Sequence, residues 1–109
     1  MDMPAVTPKP PYYAVIFTSV RRDGDNGYNE AAAQMLALAA TQPGFLGAEM
    51  ARQDIGISVS YWATLESIAA WKESVAHRHV QGRAQEWYRA FRVRVCRVER
   101  EYGVDWTTD

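Results

Sequence analysis

His77, Trp62, Trp71 and Tyr88 are the residues of this 109-residue chain whose chemistry and spacing point to a site. An imidazole titrates near neutral pH and can take or give a proton. Large aromatic rings at a strand end and on facing helices can wall a flat pocket for an aromatic or polyketide-like compound. Trp62 closes the run Ile57-Ser-Val-Ser-Tyr-Trp62, in which Ser58 and Ser60 supply hydroxyls on the tryptophan's own face. Trp71 opens Trp71-Lys-Glu-Ser-Val-Ala-His77, and Trp87-Tyr88 leads into a β-branched stretch. Each aromatic taken alone is more often a packed core residue than a pocket wall. His77 taken alone can equally be a solvated histidine at a helix break.

Other chemistries find little support. His77 and His79 stand two apart on a helix, so they point to different faces and cannot share a metal. No acidic residue or cysteine stands beside them at ligand spacing, so no metal site is expected. Cys96 is the single cysteine, which rules out an intrachain disulfide and fits a reducing compartment. In a strand it reads as a buried, inert thiol. No glycine-rich loop follows a strand, so flavin and nicotinamide lack a binding motif. Arg89, Arg92, Arg94, Arg97 and Arg100 interleave with Glu86, Glu99 and Glu101. That mixture suits a strand edge or an ion-pair network at a dimer interface better than an anion site. A net charge of -1 gives no reason to expect nucleic acid or a membrane surface. No apolar run approaches the ~20 residues that span a bilayer. The first residues lack a secretory pattern, so a cytoplasmic protein is expected.

The elements that must position these groups follow from periodicity. Pro4, Pro8, Pro10 and Pro11 make residues 1–11 an extended or flexible arm. Residues 12–21 alternate, with Tyr13, Val15 and Phe17 on one face and Tyr12, Ala14, Ile16 and Val20 on the other. Apolar residues on both faces require a strand covered on both sides. After a Gly/Asp/Asn turn, Tyr28, Ala31, Ala32, Met35, Leu38 and Ala39 recur at helical spacing. Asp25 or Asn26 is the expected cap, and Pro43-Gly44 the stop. Residues 47–52 and 55–63 read as two strands joined by a tight turn at Gln53-Asp54, to which Ile55-Gly56 can also contribute. Thr64 caps a helix with the stripe Leu65, Ile68, Trp71 and Val75. A kink or break at residues 77–79 divides it from a second piece bearing Val80, Ala84, Trp87 and Tyr88. Phe91 to Arg100 is the last strand, and the tail from Tyr102 shows no clear pattern.

The order βαββαβ is the split βαβ, ferredoxin-like α+β unit, an antiparallel four-stranded sheet with helices on one face. The two-sided first strand then demands a cover for the open face, which a homodimer with stacked sheets supplies. The domain spans 12–103, flanked by the arm and a tail of residues 104–109.

Gln42-Pro-Gly-Phe-Leu-Gly47, Ser58-Val-Ser-Tyr-Trp62, Trp71 to His77, and Trp87-Tyr88 running into Arg92 to Arg100 together resemble the antibiotic biosynthesis monooxygenase-like family. The resemblance implies a dimeric α+β barrel and oxidation of aromatic polyketides without metal or flavin; other relatives cleave haem. Trp62 matches the family's strand tryptophan, and Trp71 can match the tryptophan of the haem-degrading branch. The first strand lacks the asparagine of both branches, and His77 follows Trp71 too closely for the haem-degrading pattern. No cofactor is therefore expected. Two functions follow. One is a cofactor-independent monooxygenase on a small aromatic compound, with His77 as base and Trp62, Trp71, Tyr88, Ser58 and Ser60 lining the cavity. The other is a non-catalytic or stress-response protein that binds a small apolar ligand.

Overall fold

The computed structural model describes residues 3–77 and 81–107. The elements run β1 (Tyr12–Arg21), α1 (Tyr28–Ala40), β2 (Phe45–Arg52), β3 (Gly56–Trp62), α2 (Leu65–His77), a 3-10 turn (Gln81–Arg83), α3 (Ala84–Trp87) and β4 (Tyr88–Val98). The strands form one antiparallel sheet in the order β2-β3-β1-β4. This is the ferredoxin-like arrangement expected from the element order.

Register assigns the faces, because residues directly opposite in a ladder share a side. Tyr13 stands opposite Trp62, Val15 opposite Ser60 and Phe17 opposite Ser58. On the other flank of β1, Val15 meets Val95 and Phe17 meets Val93. This is the helix side. Trp71 of α2 stacks on Trp62 at 5.9 Å between centroids. Tyr28 of α1 meets Tyr88 edge-on at 5.6 Å, and Tyr88 in turn meets Phe17. The other face carries Tyr12, Ala14, Ile16 and Thr18, with Tyr61, Val59 and Ile57 from β3 and Arg92, Arg94 and Cys96 from β4.

Helix ends follow local chemistry. Asp25 accepts from the backbone N–H groups of Gly27 and Asn29, so it serves the expected capping role although Gly27 occupies the cap position. Thr64 Oγ1 accepts from Ser67 N–H at the start of α2. Gly44 carries the chain out of α1 with φ of 84°, and its carbonyl accepts from Ala63 N–H. A Cβ at Gly44 would overlap the Ser67 side chain. The stop of α1 and the start of α2 thereby lie against each other.

Several stripe residues depart from expectation. Ala32 is exposed, whereas Leu36, left out of the α1 stripe, is half-buried. Leu65, the first residue of α2, is exposed. β3 begins at Gly56 rather than Ile55. The proposed break at residues 77–79 lies largely outside the described residues, as does Val80; what is described is a helix ending at His77 and a separate short α3.

The arm is laid across the open face. Ala5 N–H donates to Glu49, and Thr7 Oγ1 bonds the Tyr12 hydroxyl and Glu101. Tyr12 and Ala14 are buried at that end. The rest of this face is only half-covered, and Ile57 is exposed. The buried hydrophobic residues among those described are Tyr12, Ala14, Ala39, Trp62 and Trp87. Five such residues are few for a domain of this length, which ordinarily hides most of its apolar surface.

Candidate functional site

The helix side of the sheet holds two aromatic clusters with a polar floor between them. At the end where β3 finishes, Trp62 is wholly enclosed, at 0% exposure. Phe45 meets it edge-on at 5.4 Å, Trp71 stacks on its other side, and its Nε1–H donates to Ser60 Oγ at 2.9 Å. At the end where β4 begins, Phe17 stacks on Phe91 at 5.3 Å and meets Tyr88 edge-on at 5.4 Å. Ser58 and Ser60, both half-buried, lie on β3 between the clusters, in register with Phe17 and Val15.

The structure therefore divides the sequence-derived set. Trp62, Trp71 and Ser60 come together, and Tyr88 stands with Phe17, Tyr28 and Phe91 at the far end, with Ser58 nearer to it. Trp71 is half-buried, whereas Trp62 behind it is enclosed. Trp87 is buried for a structural purpose: its Nε1–H donates to Asn26 O at 3.0 Å, and its carbonyl accepts from Arg22 N–H and Arg21. The indole thus fastens α3 to the β1–α1 turn. His77 is described through its helical backbone only, and His79 lies outside the described residues. Connectivity places the C-terminal end of α2 at the Tyr88 end of the sheet, since the chain enters β4 from there.

An arginine missed by sequence reading completes this end. Arg52, Gly56 and Ser19 form one row across β2, β3 and β1. Gly56 has no side chain, so the Arg52 guanidinium crosses over it and donates to Ser19 Oγ at 2.5 Å. A Cβ at Gly56 would overlap that guanidinium. Ser19 is buried, and among the described residues no carboxylate pairs with Arg52. Arg21 lies with its guanidinium 3.7 Å from the Tyr28 ring centroid. Burial, then interaction with the Tyr28 hydroxyl, pushes the Tyr88 phenol up from its usual range, while Arg52 and Arg21 pull it down. The signal for this row was the glycine between two polar residues, legible only once the register is known.

On the open face, Tyr61 donates to Glu49 at 2.6 Å. Burial, followed by this bond and the Glu49 charge, pushes its phenol up from 10.0 to about 12. Cys96 lies on the same face, half-buried. Among the described residues no three His, Cys, Asp or Glu side chains stand close enough to hold a metal ion. No helix among them is long and apolar enough to cross a membrane.

A ferredoxin-like α+β domain with two aromatic clusters on the helix side is the class this geometry defines. Comparison with known proteins gives the family. The family model described as antibiotic biosynthesis monooxygenase matches residues 11–83. The chain belongs to that family. It is 45% identical over 104 residues to the uncharacterized protein YqjZ of Bacillus subtilis (strain 168), a match covering 93% of this chain and 91% of the relative. Among solved structures it is similar to SnoaB, a cofactor-independent oxygenase from Streptomyces nogalater. The TM-score is 0.72 at 9% identity, covering 84% of this chain and 97% of SnoaB. It is also similar to protein SO0527 from Shewanella oneidensis, with TM-score 0.68 and 13% identity over 81% of this chain and 91% of that one. Likeness at such identities shows the shared fold.

Proposed function

We propose that the protein is a cofactor-independent monooxygenase that takes a small phenolic or polyketide-like compound as its anion. The observation that carries this reading is the Arg52–Ser19 pair beside the Phe17–Tyr88–Phe91 cluster, a cation that no carboxylate among the described residues pairs with. A guanidinium so placed favours a substrate oxyanion over the neutral phenol. Tyr88, with Phe17 and Phe91, holds the ring system at the Arg52 end, Ser58 and Ser60 offer hydroxyls to substrate oxygens, and Trp71, backed by Trp62, bounds the opposite end of the site. His77 is the base that forms the anion. The electrons come from the substrate itself: an activated ring CH2 becomes C=O, one oxygen atom entering the product and the other leaving as water. The membership of the family and the fold shared with SnoaB support the reaction class.

The same reading includes a homodimer. Two copies stack their open faces, so that Ile16, Ile57 and Val59 of each are covered. The shortage of buried apolar residues in the single chain supports this assembly.

Oxygen uptake with a panel of hydroquinones and anthrone-like compounds, in buffer with chelator, tests the chemistry. Turnover is expected, and Arg52→Gln should raise KM about tenfold or more for acidic substrates while the fold persists. Binding without uptake across the panel would overturn the oxygenase reading in favour of a ligand carrier.

A further inference from the structure

Two guanidiniums stand near the Tyr88 phenol, Arg52 and Arg21, and their donors are spent differently. Arg21 Nη1 donates to the carbonyls of Arg22 and Trp87, and Nη2 to those of Gly24 and Asp25. Its face lies on the Tyr28 ring. Its Nη hydrogens are thus committed to the backbone, and Arg21 clamps the β1–α1 turn. Arg52 donates through its end, Nη2 to Ser19 Oγ at 2.5 Å and Nη1 to Ser19 O at 3.5 Å. Ser19 is only 2% exposed, so the acceptor that seats the guanidinium is fixed. A Cβ on Gly56 would overlap Cζ, Nη2 and Nε of Arg52 together, so the guanidinium lies flat on the bare backbone of Gly56. Its side edge, Nε–H with the second Nη2 hydrogen, meets no acceptor among the described residues, and Arg52 is exposed.

A guanidinium edge with two parallel N–H groups matches the two oxygens of a carboxylate. A phenolate offers one oxygen and engages half of that edge. A phosphate monoester carries nearly two charges, whereas one guanidinium here has donors to spare. Ser19 faces Phe91 on the neighbouring strand, one spacing of ~4.8 Å away. Phe91 is half open to solvent and stacks on Phe17, so a ring attached to an acid group at Arg52 comes within reach of it. We propose that the substrate of this site is a hydroxyarene carboxylic acid, its carboxylate gripped side-on by Nε and Nη2 of Arg52, and that Gly56 and Ser19 set this specificity by fixing the guanidinium. The inference deepens the reading above and rests on its Arg52 site.

Isothermal titration calorimetry at neutral pH with naphthoate and naphthamide tests the assignment, since the two match in shape and only the first is charged. The acid should bind at least about tenfold more tightly than the amide. Arg52→Gln should bring the two affinities together. Gly56→Ala puts a methyl group where the guanidinium lies and should do the same. Adding Gly56→Ala to Arg52→Gln should then change neither affinity, a non-additivity that general damage to the strand would not produce. Ser19→Ala should also weaken the preference, and it serves if Gly56→Ala does not fold. Equal affinity of acid and amide in the unaltered protein, no binding of the acid, tighter binding of naphthyl phosphate than of the acid, or a preference that survives Arg52→Gln would overturn the carboxylate assignment. A preference that survives both Gly56→Ala and Ser19→Ala would remove those residues from the specificity. The titrations use no oxygen chemistry. Acid selectivity without oxygen uptake from any hydroxynaphthoic acid would sink the oxygenase reading alone, and uptake from neutral hydroquinones without acid selectivity would sink this inference alone.

Discussion

Replacing Trp62 by alanine removes the largest enclosed side chain of the domain, and the structure sets what that costs. The indole has no solvent exposure, packs between Phe45 and Trp71, and bonds Ser60. Truncation of such a core tryptophan costs about 3–5 kcal/mol, the cavity included. Against a total of ~5–15 kcal/mol for a domain, Trp62→Ala should be folded but marginal. Trp62→Phe keeps both ring contacts and loses the indole donor. Ser60 is half-buried, so water can serve its hydroxyl, and the lost bond itself costs about 1 kcal/mol. The assay is urea unfolding followed by circular dichroism, with all variants at one protein concentration because association adds to apparent stability. Trp71→Ala, from a half-buried position, should cost less stability than Trp62→Ala but weaken an apolar probe more. A loss below about 1 kcal/mol for Trp62→Ala, or equal losses for alanine and phenylalanine, would refute the enclosed-stack reasoning.

Three further outcomes are expected. If His77 is the base, His77→Ala should lower the rate of oxygen uptake at least tenfold with substrate affinity nearly intact, and equal rates in both proteins would eliminate the role. His79→Ala is the control, expected to matter less. Gly44→Ala should lower the thermal midpoint, because φ of 84° strains any side chain and the new Cβ meets Ser67; a midpoint within 1 °C (a shift of only a few tenths of a kcal/mol, about the noise) would count against it. Tyr61 has a folded pKa raised to about 12, so its neutral form is the one the fold favours. Its contribution is complete below pH ~10 and lost as pH rises through about 12. Tyr61→Phe should flatten stability across that alkaline window, and an unchanged slope would show that Tyr61 does not control it.

The sequence by itself determined the element order, because period-two and helical patterns change wherever the chain changes structure. The two-sided apolar pattern of β1 already required a covered sheet, and the motifs around Trp62 and Trp71 were sufficient for the family. Thr64 was legible as a cap because capping is local chemistry, and Asp25 serves the first turn of α1 although Gly27 takes the cap position. Tertiary structure alone decided which aromatics meet. Trp62 and Tyr88 stand in separate clusters because β3 and β4 present them at opposite ends of the sheet. The Arg52–Gly56–Ser19 row exists only through strand register, which brings together residues remote in the chain. Tyr102, Val104 and Trp106, which showed no pattern in sequence, are left exposed by the fold. Local propensity is written residue by residue, whereas a site is a set of distances, and distances across a sheet arise only when the strands pair.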